Sequence, residues 1–399
     1  MDRQVLSVLK TSLQQQFVWT EVDYGNIVFA FQAAYALGLF FVGRLIDRLG
    51  SRLGYAVTIA FWSLASVAHG FMNSTTGFLA ARFALGLGES GVFPASLKVV
   101  AEWFPKKERA LATGIFNAGT NVGAAITPFL VPVLYLRWGW RGCFFGVGAI
   151  GFAGLVLWLW IYRAPPASLR SAADELLLTE SALPANNSAT PARWLDLLGY
   201  RQTWAFISAK FLIDPIWWFY LFWIPDFLQR RHGLSLGKLG FPVLVIYLLA
   251  DVGSVAGGWF SSFLMQRGKS VNVARKSALL VCAISIVPIV FASRVASLWS
   301  AVLLIGLAAA GHQGFSTNLL TLPSDLFPTK LVASIVGIGG AAGAIGGMLI
   351  AQIVAHILQW TGSYTIPFLM AGSSYLIACV FIQFLAPQLD TVRLGREAT

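Results

Sequence analysis

Four charged residues lie inside or beside apolar stretches, where a charge is costly unless it has a task. They are Asp2 and Arg3 at the start of the chain, and Arg82 and Glu89 within the apolar run 77–101. A guanidinium donates two parallel hydrogen bonds to a carboxylate, and a buried carboxyl group can take up a proton. If these residues meet, they are sufficient for a site that binds an organic acid together with protons.

Arg82 and Glu89 are seven residues apart, which places them on one face of a helix, about two turns from each other. Small residues around Glu89 would let another helix pack closely or would leave room for a cavity. The alternative is that both charges only join helices through ion pairs and never contact a ligand.

The elements that position these residues must lie in a membrane. Of the 399 residues, 57% are hydrophobic and 11% are charged, whereas soluble domains carry about 25% charged residues. The net charge of +11 comes from short Lys and Arg clusters between apolar runs, a pattern of loops beside a membrane and not of a nucleic-acid-binding surface. The composition therefore predicts an all-α polytopic membrane protein with the lipid bilayer as a partner and no nucleic acid.

A helix needs about 20 apolar residues to cross a hydrocarbon core of about 30 Å. Segments of this kind, in addition to a short N-terminal piece, are centred at 25–42, 54–72, 77–101, 110–135, 142–162, 203–228, 239–265, 276–293, 297–322, 331–357 and 365–386. Most of the Lys and Arg residues between spans fall on the side of the polar linker 163–200, whereas Lys10 and Arg230 fall on the opposite side. This bias predicts a cytoplasmic linker and a cytoplasmic C-terminus.

The chain also contains an internal repeat. Residues 104–119 (FPKKERALATGIFNAG) align with residues 327–342 (FPTKLVASIVGIGGAA). We therefore predict two helical bundles, 1–162 and 201–399, joined by the linker 163–200. Parallel repeats around a cavity at the membrane midplane are the plan of many secondary transporters. Their first and fourth helices line the same cavity, which would bring the Asp-Arg pair at the start of the chain near Arg82 and Glu89.

With six spans in each half, the N-terminal piece must represent a first helix that is incomplete. Two explanations stay open: Met1 is an internal methionine of a longer chain, or the helix is short in the mature protein. In the second case the chain could be a remnant or sensor that binds its ligand without transporting it.

The loop GRLIDRLGSR at 43–52 resembles the signature loop between helices two and three of the major facilitator superfamily. The resemblance implies that Gly43 lets two helices approach and that Asp47 faces the positive end of a helix dipole. Arg48 and Arg52 would anchor the loop in the cytoplasm. The alternative is an ordinary basic loop.

Longer stretches resemble the anion:cation symporters of that superfamily, and most closely the bacterial hexuronate (glucuronate and galacturonate) transporters. They include DRQVLSVLK, ARFALGLGESGVFPASLKVVAEWFPKKERA and AKFLIDPIWWFYLFWIPDFL. The resemblance covers essentially the whole chain. It implies that Arg3 and Arg82 hold a substrate carboxylate, that Asp2 and Glu89 bind protons, and that Tyr35 hydrogen-bonds to sugar hydroxyls.

A polyhydroxylated acid needs several further donors and acceptors. Polar residues of two later spans are candidates: Asn117, Asn121, Gln313, Ser316 and Asn318. Each of them could instead form an interhelical hydrogen bond. The rings of Trp218 and Tyr220 could stack on the apolar face of a sugar, although tryptophan is also common at membrane interfaces.

Other buried polar residues receive structural interpretations. Lys210 and Asp214 are four residues apart and are expected to pair with each other. His312 is expected to form a structural hydrogen bond and not to relay protons, and Asp251 has no partner that the sequence identifies.

The sequence as a whole indicates a proton-coupled symporter of a hexuronate or related sugar-acid anion, working by alternating access in a bacterial inner membrane. Alternatives within the same fold are transporters of an aldonate, a glucarate-type diacid or an aromatic acid. We expect a monomer without metal or cofactor. No phosphate-binding loop or nucleophile–base pair is visible, so the chain is not expected to be an enzyme, and a proton gradient is the expected source of energy.

Overall fold

The computed structural model describes residues 1–103, 106–163, 194–327, 329–389 and 392. Within these ranges the chain is helical, with twelve α-helices and no strand. The α-helices are α1 (Asp2–Val8), α2 (Lys10–Phe17), α3 (Glu21–His69), α4 (Thr75–Glu89), α5 (Val92–Trp103), α6 (Lys106–Ile161), α7 (Arg201–His232), α8 (Gly240–Gln266), α9 (Val271–Ile286), α10 (Leu298–Leu326), α11 (Thr329–Thr361) and α12 (Thr365–Leu385). Short 3₁₀ helices occupy Trp194–Gly199, Leu236–Lys238 and Val287–Phe291.

Two of the helices are too long to cross a membrane once. Helix α3 has 49 residues and would be about 74 Å long if straight, more than twice the thickness of the hydrocarbon core. Gly50 interrupts α3 with φ 76°, and Gly139 interrupts α6 with φ 67°. Glycine adopts such positive φ values without a steric penalty. Each interruption lies between two predicted spans, so each long helix contains two spans joined by a tight bend.

The predicted span at 77–101 is in fact two helices. Helix α4 ends at Glu89 and α5 begins at Val92. The Ser90 hydroxyl donates to the Leu87 carbonyl at 2.7 Å, which helps to satisfy the end of α4. The break places the Glu89 carboxylate at a helix end in the middle of the predicted span.

The N-terminal piece is likewise two short helices, α1 and α2, joined at Leu9. Val18 follows α2 in the left-handed conformation with φ 54°. A capping box then begins α3, with the Thr20 hydroxyl accepting from the Asp23 backbone N–H.

Among the described residues, seven helical segments are long and apolar enough to cross a membrane. They are Val122–Ile161, Arg201–His232, Leu236–Gln266, Val271–Phe291, Leu298–Leu326, Ile335–Thr361 and Thr365–Leu385. The protein is therefore a multi-pass membrane protein.

For description, α1–α6 are called the N-terminal half and α7–α12 the C-terminal half. In the N-terminal half, α3 packs against α4 and α6, and in the C-terminal half α7 packs against α11 and α12. Helices α3 and α11 also pack against each other and so join the halves. Residues 164–193 of the predicted linker lie outside the described residues, so the boundaries of the two bundles stay a prediction.

Glycines bring α8 and α10 into backbone contact within the C-terminal half. A Cβ atom added at Gly257 would lie 2.5 Å from the Cα atom of Gly314. We expect Gly257→Ala to lower the free energy of unfolding by about 1–3 kcal/mol, because the helices would have to separate. Thermal unfolding of the purified protein in detergent measures this effect.

Gly154→Ala is the matched control, since nothing lies within 4 Å of a Cβ atom added at Gly154. Alanine is the better helix former, so this variant should be as stable as the parent or more so. Equal melting temperatures for the two variants would contradict the close packing of α8 on α10.

Candidate functional site

Arg3, at the start of α1, contacts Glu89, at the end of α4. The Arg3 Nε atom donates to the Glu89 carboxylate and forms an ion pair with it. The Glu89 side chain is 8% exposed, whereas that of Arg3 keeps 30% of its surface exposed. The predicted meeting of Arg3 and Glu89 is therefore confirmed.

Three aromatic rings surround the Arg3 guanidinium. Its Cζ atom lies 4.9 Å from the ring centroid of Tyr35, 5.5 Å from that of Trp218 and 5.6 Å from that of Phe31. These distances are within the range of cation–π attraction. Phe31 and Tyr35 come from α3 and Trp218 comes from α7, so Arg3 lies where the two halves meet. We call these three rings with Arg3 the arginine cage.

Arg82 is the second cation of the site, and it is almost fully buried, with 1% of its surface exposed. Its Cζ atom lies 5.9 Å from the Phe31 ring centroid. Asp2 and Glu89 lie within electrostatic range of its guanidinium. None of its three guanidinium nitrogens has a hydrogen-bond partner in the part of the chain that the structure describes. A buried charge left in this way is strongly unfavourable, so the arrangement suits a ligand that brings negative charge.

A second cluster of charged residues joins the halves at a different position along the helices. The Lys10 Nζ atom lies 2.8 Å from Glu21 Oε2 and 2.8 Å from Asp226 Oδ2. Arg230 adds contacts of 2.9 Å to Asp226 and 2.5 Å to Glu21. The Tyr364 hydroxyl donates to Asp226. We call these five residues the Lys10 cluster. Because α7 begins near the linker at Arg201 and carries Arg230 in its last turn, the cluster lies at the end opposite the linker.

Between the Lys10 cluster and the arginine cage, hydrogen bonds between α3 and α11 also join the two halves. The backbone N–H of Glu21 donates to Gln359 at 2.9 Å, and Gln352 donates to Asn26 at 2.9 Å. We call this row of contacts the α3–α11 seam. The halves are thus closed against each other at the end opposite the linker.

Comparison with known proteins identifies the family of this helical arrangement. The family model described as Major Facilitator Superfamily matches residues 1–351. The chain belongs to the major facilitator superfamily. Membership makes it a membrane transport protein and not an enzyme, and its fold is the major facilitator fold, with two halves of six helices each.

Two relatives come from Escherichia coli strain K12. The probable galactarate/D-glucarate transporter is 28% identical over 413 residues, which cover 99% of this chain and 93% of the relative. The hexuronate transporter is 29% identical over 367 residues, which cover 91% of this chain and 85% of the relative. The crystal structure of a D-xylose–proton symporter superposes with a TM-score of 0.75 at 14% identity, covering 98% of this chain and 96% of that one. This last likeness shows the shared fold.

In this major facilitator protein, part of the predicted signature loop can be placed. The Arg52 Nη2 atom donates to the Leu159 carbonyl at 2.8 Å, and the Trp158 indole donates to the Arg52 carbonyl at 2.9 Å. Arg48 is exposed. The loop is therefore bound to the last turns of α6. Of Gly43 and Asp47 the structure describes only the backbone.

The structure describes the side chains of three of the five predicted hydroxyl-binding residues. The Asn318 amide donates to the carbonyls of Gly257 and Gly314 at 2.9 Å each, so the structure places it in the contact between α8 and α10. Gln313 and Ser316 are half-buried on α10. The side chains of Asn117 and Asn121 lie outside the described residues. For all five, substrate binding stays a prediction.

Two contacts that the sequence predicts in the C-terminal half are confirmed. Lys210 pairs with Asp214 at 2.6 Å. The His312 ring makes a 2.6 Å hydrogen bond with the Tyr375 hydroxyl and stacks on Trp217, with 4.9 Å between ring centroids.

Sequence reasoning missed two residues of interest. Asp226 is fully buried, and an acid inside the apolar run FWIPDFL was a signal that could have found it. Gln32 is buried beside the arginine cage with its amide unpaired among the described residues. A lone glutamine in an apolar span gives a weaker signal. Tyr220 was predicted, and it is buried on α7 with a hydroxyl that likewise has no partner in the described ranges.

Proposed function

We propose that this major facilitator protein carries a hexuronate or a related sugar-acid anion together with protons, by alternating access. The membrane would be the cytoplasmic membrane of a bacterium, with the linker and the C-terminus in the cytoplasm. The names of the relatives support an acid sugar as the substrate class. The distribution of basic residues supports the orientation.

The observation that carries the proposal is the buried Arg82 guanidinium, which lacks a hydrogen-bond partner among the described residues. A carboxylate beside it would satisfy two or more of its N–H groups in a bidentate pair. The Arg3 guanidinium, paired with Glu89, is the second cation available to the same anion. The site therefore favours an acid over a neutral sugar.

Proton binding follows from the Arg3–Glu89 pair. When Glu89 takes up a proton, it loses the charge that holds Arg3, and the guanidinium becomes free to bind the substrate carboxylate. When Glu89 releases the proton, the ion pair forms again and competes with the substrate. Asp2 is a second acid close enough to Arg82 to take part. A proton gradient would drive the cycle without a cofactor.

The Lys10 cluster and the α3–α11 seam close the end of the protein opposite the linker. With the linker in the cytoplasm, this conformation is the one closed to the outside. Rocking of the halves would break the cluster and open the site to the outside.

A diacid and an aldonate are substrate alternatives with support, because relatives are named for galactarate and D-glucarate and for D-galactonate. An aldonate or an aromatic acid would use the same arginine pair. Competition of labelled glucuronate uptake by gluconate, glucarate and benzoate discriminates among these acids.

The experiment that tests the proposal is uptake of labelled glucuronate into proteoliposomes with an inward proton gradient. The parent protein should accumulate the label. In Glu89→Gln this gradient-driven uptake should be lower by at least about tenfold, because a permanently neutral group cannot release a proton. Exchange of labelled for unlabelled glucuronate, which needs no net proton movement, should persist in Glu89→Gln.

Asp23→Asn makes the same change of charge in the capping box of α3 and should keep the gradient-driven uptake. Uptake by Glu89→Gln that responds to the gradient as the parent does would refute the proton-coupling role of Glu89.

A further inference from the structure

Gln32 carries a buried amide that has no role in the proposed binding of the carboxylate or of protons. It is 3% exposed, and neither its Nε2 nor its Oε1 atom has a hydrogen-bond partner among the described residues. Buried polar groups in proteins are nearly always paired, and each exception asks for an explanation. Because Gln32 lies on α3, where that helix meets the C-terminal half, its partner can be a ligand that binds between the halves.

The surroundings of Gln32 place it next to the arginine cage. It lies on α3 between Phe31 and Tyr35, the two cage rings of that helix. Gly347 of α11 faces it: a Cβ atom added there would lie 2.8 Å from Gln32 Oε1 and 2.8 Å from Trp218 Cδ1. The amide, the edge of the cage indole and the bare glycine therefore form one corner beside Arg3.

The chemistry of this corner differs from that of the arginines. A primary amide offers two N–H donors and a carbonyl acceptor without net charge, and a hydroxyl group is both a donor and an acceptor. The indole N–H of Trp218 supplies a further donor, since Nε1 would lie 3.0 Å from a Cβ atom at Gly347. Such a corner fits hydroxyl groups and offers no counter-charge to a second carboxylate.

We propose that Gln32 binds ring hydroxyls of the transported acid and selects polyhydroxylated acids, with Gly347 contributing no side chain that would block the amide. The inference rests on the proposed function, because it assumes that Arg82 and Arg3 hold the carboxylate of the same ligand. It adds the residue that distinguishes a sugar acid from an acid of the same size without hydroxyls.

The position of Gln32 also explains how a ligand reaches it. In this conformation α11 covers the amide, at the inner end of the α3–α11 seam. The outer end of that seam lies at Glu21 and Gln359, beside the Lys10 cluster. When the halves part along the seam, the covered amide is uncovered next to the arginine cage.

The test is equilibrium binding of two acids to the purified full-length protein, measured by calorimetry. Glucuronate carries ring hydroxyls, and cyclohexanecarboxylate has a ring of the same size without them. Gln32→Leu should raise the Kd of glucuronate at least about tenfold, because hydroxyls would face a leucine. The Kd of cyclohexanecarboxylate should change less than about twofold.

Two further variants keep the test decisive. Gly347→Ala places a methyl group against the Gln32 amide and should shift the preference between the acids in the same direction, which covers the case that Gln32→Leu does not fold. Gln352→Leu removes a half-buried seam amide that already has a partner, Asn26. It should change both Kd values by the same factor.

A glucuronate Kd that stays within about threefold of the parent in both Gln32→Leu and Gly347→Ala would overturn the inference. So would an equal rise for both acids, since this would indicate a structural role. Failure of the proposed function looks different: the parent protein itself would then bind neither acid.

Discussion

Replacing Arg82 by glutamine is expected to abolish binding of glucuronate while leaving the protein at least as stable as the parent. Removing one partner of a buried, hydrogen-bonded charge pair costs about 3 kcal/mol or more, which is at least about a hundredfold in Kd. Calorimetric titration of the purified protein with glucuronate measures the loss.

The stability of the same variant should move in the opposite direction. In the described part of the structure the Arg82 guanidinium is buried without a hydrogen-bond partner. Its removal relieves a desolvation cost and breaks no described hydrogen bond. The melting temperature should therefore stay the same or rise. Loss of binding without loss of stability is the signature of a residue kept for its ligand.

Arg141→Gln is the matched control for this experiment. Arg141 is exposed and donates to Asn73 at 2.5 Å, and both residues lie outside the candidate site. Glucuronate binding should be unchanged in this variant. A Kd for Arg82→Gln within about threefold of the parent would refute the role of Arg82 in anion binding.

Replacing Lys10 by methionine is expected to open the end of the protein opposite the linker. Lys10 is fully buried between Glu21 and Asp226. Removing it leaves the two acids with Arg230 as their remaining cation within the cluster. Breaking a buried ion pair in this way costs about 3–5 kcal/mol, and a shift of this size changes a conformational equilibrium by more than a hundredfold.

Distance measurement between spin labels would detect this opening. Val18 and Trp360 are both exposed and lie on different halves at this end, so cysteines at these positions report the separation of the halves. The native Cys143, Cys282 and Cys379 would be replaced first. The distance should lengthen in Lys10→Met relative to the same labelled parent.

Two comparisons sharpen this prediction. Lys238→Met removes an equal charge from an exposed residue of the loop between α7 and α8, and it should leave the distance unchanged. Adding Asp226→Asn to Lys10→Met removes one of the under-compensated acids and should restore part of the short distance. If Lys10→Met shows the parental distance, the Lys10 cluster does not hold the halves closed.

The features that could be predicted from the sequence are those set by the membrane itself. A bilayer leaves the backbone no partner but itself, so long apolar runs must be helices and their number follows from hydropathy. The internal repeat then placed the first and fourth helices on one cavity, which is why the meeting of Arg3 and Glu89 was predictable. Lys210 and Asp214 pair over four residues, a distance that a helix sets locally.

What could not be predicted depends on contacts between distant segments. Lys10 was assigned to the side opposite the linker, where it does lie, but its burial was not foreseen, because one of its partners, Asp226, is 216 residues away. For Asn318 two interpretations were open, a contact with the ligand and an interhelical hydrogen bond, because an amide in a membrane needs a partner. The partners turned out to be carbonyls that a glycine contact exposes between α8 and α10. Pattern and spacing carry no information about such pairings.

The arginine cage has a consequence for how Arg3 could both bind and release an anion in the proposed cycle. Trp218 belongs to one half, whereas Arg3, Phe31 and Tyr35 belong to the other. A rotation of the halves that moves the Trp218 indole away removes one of the three rings that stabilise the Arg3 guanidinium. Phe31 and Tyr35 belong to the same half as Arg3 and stay beside it. If Arg3 binds an anion as proposed, its attraction for that anion would depend on the position of Trp218. In the proposed cycle, the relative position of the halves would therefore set how strongly Arg3 binds the substrate carboxylate.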